Sequence, residues 1–329
     1  MRIALLAAGV ALCIAGGANA VTLGIEGTRF TLDGKPAFLL GISYYGGLGA
    51  PREFVRQDFD DMAAKGWNWV RVWATWPAGE TNVSAVDENG DAREAYLSML
   101  DWLVRQADRR GMIVDVTLTR GELLPTQEAH LKAVQVLATA LRPWRNVYID
   151  LANERDVGDA RYVSFEELGE LSKAIRAIDS DRLITASGMP SRENLREYAE
   201  AAGVDFVSPH LGRSADSPGR TLDTTREFLR WMRELNLVMP VHYQEPFRRD
   251  YSPWQPTADD FLTDLRGAIE GGAAGWCLHN GSPRRDYEGP DRSFNLSRDN
   301  GRLMDQLDEE EMRVVNEAPA LAKELWSAG

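Results

Sequence analysis

Met112-Ile-Val-Asp-Val-Thr-Leu-Thr119 and Val147-Tyr-Ile-Asp-Leu-Ala-Asn-Glu154 are short apolar, β-branched runs, and between them Thr126–Leu141 repeats its apolar residues at helical spacing. Strand, helix, strand is the unit of a parallel sheet, because parallel neighbours need a crossover long enough to bring the chain back. The pattern continues outward in both directions. Phe38–Tyr45, Trp67–Thr75, Leu183–Gly188, Val204–Leu211, Met239–Pro246 and Gly275–Gly281 read as further strands. Helical patterns fall between them at Glu53–Lys65, Ala92–Arg110, Ser164–Ile178, Ser191–Ala202, Thr221–Asn236 and Thr257–Glu270, and Leu303–Trp326 carries the last helices. Eight such units predict an α/β fold of one domain, a closed (β/α)8 TIM barrel. An open doubly wound sheet has fewer strands and a glycine-rich phosphate loop, and neither G-x-G-x-x-G nor G-x-x-x-x-G-K-[ST] occurs.

Ahead of the first unit, Val21–Pro36 holds two short β-like pieces around Asp33-Gly34, a hairpin turn signal, and is expected to plug the barrel's N-terminal mouth. The first twenty residues read as a secretory signal peptide: Arg2, an apolar run from Ile3 to Gly17, then Ala18-Asn19-Ala20. The run is shorter than the roughly 20 residues a membrane span needs, so export with cleavage after Ala20 is expected, to the periplasm or the medium, with no membrane attachment afterwards. The domain then runs from Val21 to Gly329. Cys13 does not mark a lipoprotein, because Leu12 stands where a small residue is needed. Cys277 is the one cysteine left, so no internal disulfide can form and stability rests on the core.

The net charge of −13 excludes nucleic acid as a partner, since phosphate binding needs clustered Lys and Arg, and disfavours a polyanion bound over a wide surface. Ten tryptophans supply flat faces of the kind that sugar rings pack on, although core packing is the commoner use.

A barrel's chemistry sits at the C-terminal ends of its strands. The fourth strand ends in Asn153-Glu154 and the seventh, Met239-Pro-Val-His-Tyr-Gln-Glu245, in a second carboxylate. These strands lie on opposite sides of an eight-stranded barrel, so the two side chains can face each other across the mouth, as retaining glycosidic cleavage requires with carboxyls about 5–5.5 Å apart. The plain alternatives are an acidic residue at a helix N-terminus for Glu154 and a loop carboxylate for Glu245. Asn316-Glu317, in a polar helix, shows that the dipeptide alone means little.

With these residues in view, the chain resembles the clan of retaining glycoside hydrolases whose barrels carry the acid/base after strand four and the nucleophile after strand seven, most nearly the cellulase-like family 5. Phe30–Tyr45 is similar to that family's first hairpin and strand. The resemblance implies an O-glycosyl hydrolase with Glu154 as acid/base and Glu245 as nucleophile, acting on a β-linked oligo- or polysaccharide. It further implies Arg71 beside the nucleophile, Asn153 in the acid/base motif, a substrate-side His210 and Trp276 under the bound sugar. Two departures stand out: Thr119-Arg120 replaces a histidine usual after strand three, and Gly212 replaces a tyrosine two residues past the strand-six histidine. Tyr243, two before Glu245, can stand in for that tyrosine, as can Tyr44 or Tyr45.

Chemical need adds more. Arg71 lies between Trp69 and Trp73, inside the barrel, and requires a carboxylate; Glu245 is the expected partner, with Asp115 or Asp150 the alternative. His210 is either a substrate contact or a histidine satisfied by backbone; His242 and His279 are expected to point outward and His130 to be solvated. The histidines lack metal spacing, Asp87–Asp91 reads as a turn, and neither metal nor cofactor is expected. Trp76, Trp254 and Trp276 are candidate sugar platforms. The loops at Gly212–Arg220, Arg248–Gln255 and Ser282–Asn300 should wall the cleft, and their arginines (Arg213, Arg220, Arg248, Arg249, Arg284, Arg285, Arg292) point to an acidic or substituted sugar. The competing readings are a transglycosylase using the same glutamates and an exported barrel that binds carbohydrate without cleaving it.

Overall fold

Each of the eight apolar runs contains a strand in the computed structural model, which describes residues 20–281 and 292–328. The leader up to Asn19, with Cys13, and the loop residues Arg284 and Arg285 lie outside the described residues. The barrel strands are Leu39–Ser43, Trp69–Trp73, Ile113–Thr117, Val147–Asp150, Leu183–Thr185 continued by Ser187–Gly188, Ser208–Pro209, His242–Tyr243 and Gly275–Leu278. Seven of them form one sheet in the order five, four, three, two, one, eight, seven, all parallel. The sixth closes the ring: Ser208 pairs with Ser187 of the fifth strand, and neighbouring Val207 bridges Val241 beside the seventh. The result is the (β/α)8 barrel.

Alternation along the strands sorts their side chains into two environments. On the second strand Val70 and Val72 pack outward into the large core under the helices, whereas Trp69 joins the barrel interior with Ile113, Tyr148 and Cys277. Trp69 fills that layer so closely that a Cβ on Gly41 of the first strand would lie 1.9 Å from its ring, and only glycine fits.

The N-terminal segment forms three antiparallel strands rather than the two pieces expected, Leu23–Glu26, Arg29–Leu32 and Lys35–Ala37. Asp33 (φ 52°) and Gly34 (φ 75°) make the left-handed turn between the last two. Phe30 seals the barrel floor, 5.0 Å edge-on from Phe206 and 5.3 Å from the His242 ring. Full burial of such a ring contributes roughly 1.5–3 kcal/mol.

The crossover helices are Arg52–Lys65, Glu94–Asp108, Gln127–Leu141, Phe165–Ile178, Ser217–Glu234 and Ala258–Gly271, followed by Leu303–Gln306 and Glu309–Ala328. The helix expected over Ser191–Ala202 shrinks to one wide turn at Glu197–Ala201, closed by Ala202 N–H on the Glu197 carbonyl at 2.8 Å. Residues before it are taken up by a capping turn, in which Ser191 N–H donates to Asn194 Oδ1 at 2.7 Å. Asp87–Asp91 is a turn as read, with the Asp87 carboxylate accepting from Asn89 and Asp91 N–H. No helix among the described residues is long and apolar enough to cross a membrane.

Candidate active site

Arg71 lies wholly buried at the centre of the barrel, placed there by the inward parity it shares with Trp69 and Trp73. Its Nη1 contacts Glu245 Oε1 at 2.5 Å, its Nη2 contacts Asp150 Oδ2 at 3.0 Å, and its Nε lies 3.1 Å from Asp115 Oδ2. The expected partner and both alternatives are therefore engaged together. Thr117 and Asn153 accept two more hydrogen bonds from it, at 3.0 and 2.8 Å, and the guanidinium lies 4.5 Å from the Trp73 ring centre. Burial pushes the Asp115 carboxyl up to about 8, against the pull of Arg71 and with Asp150 adding to the rise.

Beyond Asp150 the chain leaves the fourth strand, and Asn153 and Glu154 diverge. The Asn153 carboxamide turns down to Arg71, while Glu154 takes a left-handed backbone (φ 51°) and its N–H reaches Ser187 Oγ at 3.2 Å. A non-glycine residue in that region carries strain of order 1 kcal/mol, held here by the surrounding bonds. On the seventh strand inward alternation runs through His242 and Gln244, whose Nε2 donates to Asp115 at 2.7 Å. It then breaks at Glu245, before Pro246, and Glu245 also turns inward.

The two glutamates meet over the barrel mouth. One ligand atom each of Glu154, His210 and Glu245 lie within 4.8 Å of one another. His210 Nδ1 is 3.6 Å from Glu154 and 3.8 Å from Glu245, and neither ring nitrogen has a hydrogen-bond partner among the described residues. His279 Nε2 is 3.7 Å from Glu245. Arg213 Nη2 reaches both carboxylates, Glu245 at 2.7 Å and Glu154 at 3.4 Å, and Arg161 Nη1 adds a contact to Glu154 at 2.7 Å. Burial alone would raise both carboxyls; His210, Arg213 and Arg161 around Glu154, and His210, His279, Arg71 and Arg213 around Glu245, outweigh it and hold both well below the usual carboxylate range. Burial drives His279 well below its ordinary value, against the pull of Glu245. Glu154, His210 and Glu245 have the donor types of a metal site, yet the cation between the two carboxylates is Arg213.

Other expected residues are turned elsewhere. Tyr243 points to the helix layer, where its hydroxyl meets Thr225 Oγ1 at 2.7 Å, and Trp276 does the same, its Nε1 donating to Asp264 at 2.7 Å; neither reaches the cleft. On the eighth strand the inward positions are Cys277 and His279, so both His279 and His242 face inward, contrary to expectation. His130 is buried rather than solvated, with Nε2 2.8 Å from the Leu151 carbonyl. Tyr44 also faces outward, its hydroxyl donating to Asp58 at 2.9 Å. Tyr45 is the tyrosine near Glu245: it stacks on Trp73 at 4.1 Å, and its buried hydroxyl has no hydrogen-bond partner among the described residues. Burial, then the Glu245 charge, raises that hydroxyl so that it stays protonated. Trp76 is half-buried beside Tyr45, its Nε1 donating to the Phe294 carbonyl at 2.9 Å, and Trp254 is half-buried against Phe247. Arg161 was not anticipated; it stands in a loop without periodicity, and only its nearness in sequence to Glu154 hints at its place.

The model of the cellulase family (glycosyl hydrolase family 5) matches residues 30–224. A mannan endo-1,4-β-mannosidase A of Podospora anserina is 27% identical, with 58% of this chain and 61% of that protein covered, so the chain spans less than two thirds of its length. Among solved structures, the endo-1,4-β-mannanase from Rhizomucor miehei is similar with a TM-score of 0.63 at 16% identity, over 92% of this chain and 99% of that one. A family 5 glycoside hydrolase from Bacteroides vulgatus gives 0.68 at 15% identity, over 90% and 69%. At such identities the structures speak for the barrel alone.

Arg71 helps hold the Glu245 carboxyl below its ordinary range, so that part of its contribution is present above the unfolded value of a glutamate and is lost as pH falls and Glu245 takes up a proton. Arg71→Met should cost about 3–5 kcal/mol at pH 7, as for any buried pair left half-broken. Urea unfolding at stepped pH should show that difference narrowing below about pH 5. A difference independent of pH contradicts this account of the network.

Proposed function

The chain belongs to the cellulase family, glycosyl hydrolase family 5, and from that membership we propose that it hydrolyses a β-glycosidic bond in an oligo- or polysaccharide with retention at the anomeric carbon. The observation that carries the reading is the pair Glu154 and Glu245, with oxygens within 4.8 Å across the barrel mouth. Retaining enzymes hold their carboxyls about 5–5.5 Å apart, and inverting ones about 6.5–9.5 Å. Similarity to a mannan endo-1,4-β-mannosidase makes β-1,4-mannan the first neutral glycan to offer it.

On this reading Glu245 is the nucleophile. Arg71 and Arg213 keep it ionised, and Arg71 fixes the oxygen Oε1 that it grips. Its attack on the anomeric carbon forms a glycosyl ester while Glu154 gives a proton to the leaving oxygen; Glu154 then takes a proton from water, which breaks the ester. His210 and Tyr45 offer ring and hydroxyl groups to a sugar. Glu154 must acquire a proton before the first step, and its pairs with Arg161 and Arg213 oppose that, so substrate binding has to loosen them.

We further propose a single domain from Val21 to Gly329, exported, with the leader removed after Ala20. Val21 N lies 3.0 Å from Asp108 Oδ1, so the ammonium created by cleavage would meet a carboxylate. Sequencing of the exported protein should begin at Val21; a retained leader overturns this.

On an activated aryl β-glycoside, Glu245→Ala should lose turnover by several orders of magnitude, whereas Glu154→Ala should regain part of its rate with azide, giving a β-glycosyl azide. Unimpaired turnover in Glu245→Ala would remove the assignment.

A further inference from the structure

On the reading above, the anomeric carbon and its leaving oxygen must occupy the gap between Glu154 and Glu245, and that gap holds the Arg213 guanidinium. An incoming sugar has to move it. A neutral sugar offers Arg213 hydroxyls in place of two carboxylates, at a position where its side chain is only 12% exposed. A sugar carboxylate offers a planar, bidentate partner of the same kind as the one given up.

A second arginine beside it has no carboxylate partner among the described residues. Of the arginines that the sequence places in the walls of the cleft, Arg220 pairs with Asp216, Arg249 with Asp308, and Arg292 with Asp250 and Glu311. Arg248 pairs with no carboxylate among the described residues. Its Nε is buried without a hydrogen-bond partner, its Nη1 stands 3.4 Å from His279 Nε2, and its guanidinium lies 5.1 Å over both Tyr251 and Phe294. Arg213 lies 4.6 Å over the same Tyr251 ring. Two guanidiniums thus share one aromatic side chain next to the reacting carboxyls. A partly buried cation with one buried donor left unpaired is costly, and a protein keeps one where a ligand supplies the anion.

We propose that the sugar bound at the cleavage point carries a carboxylate, which Arg248 and Arg213 hold, so that the substrate is a β-linked glycan containing uronic acid. This rests on Glu154 and Glu245 being the reacting pair. The sugar carboxylate draws Arg213 out of the gap, which clears the space for the anomeric carbon and leaves Glu154 with one cation fewer, so that it can take up the proton it must donate. The positive charge is local to the mouth and fits an acidic chain whose overall charge is −13.

Calorimetric titration of the intact protein with β-1,4-linked mannuronate oligomers and mannose oligomers of equal length, together with kcat/KM on aryl β-glucuronide and aryl β-glucoside, tests the proposal. In at least one pair the acidic member should be favoured by about tenfold or more, the scale of a charge-assisted bidentate contact. Arg248→Gln should bring that ratio close to one, and Arg230→Gln, which removes an exposed arginine paired with Glu227, should leave it unchanged. No acidic preference in either pair, or a preference that survives Arg248→Gln, overturns the proposal. Cleavage of neutral members alone would do so while sparing the hydrolytic reading; acidic binding lost in Arg248→Gln, with no product from any member, would support the subsite and count against hydrolysis.

Discussion

A guanidinium buried in the middle of a barrel is the constraint around which the rest is arranged. Arg71 cannot be solvated there, so strands three, four and seven each bring a carboxylate to it, from Asp115, Asp150 and Glu245. Tyr148 and Gln244 in turn hold Asp115. The cost of burying the arginine becomes a positional device. Glu245, two residues beyond its strand, would otherwise be a mobile loop carboxylate; tied to Arg71 it is held within reach of Glu154 on the opposite wall. Beneath this polar layer the interior is apolar and aromatic, closed by Phe30 from the N-terminal strands.

Much of this was legible because it follows from period and parity. The strands were visible as β-branched runs, and Arg71 announced its place by standing between two inward tryptophans. Parity failed where strands end. Tyr243 was expected to share a side with Glu245, but alternation holds only through Gln244, and the chain turns before Pro246. Trp276 was expected under the sugar, yet the inward side of its strand belongs to Cys277 and His279. The histidines misled for a related reason: whether His242, His279 and His130 face the barrel, the helices or water depends on a one-residue register that composition does not reveal. Loops carry no period at all, so Arg161 could not be placed, and Arg213 and Arg248 appeared only as members of a basic set.

Those loop arginines change the character of the site. A pair of carboxyls held ionised by surrounding cations is well suited to attack and poorly suited to donate a proton. Glu245 keeps that state through Arg71, which is wholly buried, and through Arg213. Glu154 owes it to Arg161 and Arg213, which sit on loops and have other partners nearby, Asp159 for the first and the Tyr251 ring for the second. Of the two glutamates the wholly buried Arg71 binds only Glu245, Arg161 binds only Glu154, and Arg213 binds both.

Retention requires the two carboxyls to act from opposite faces of one anomeric carbon, with Glu245 close enough to bond to it. Proton NMR of the first product released from a β-glycoside that the protein cleaves, recorded before mutarotation, reads that directly. The β-anomer should appear first and convert slowly to the equilibrium mixture. Initial release of the α-anomer would mean a single displacement by water and would contradict the assignment of Glu245 as nucleophile.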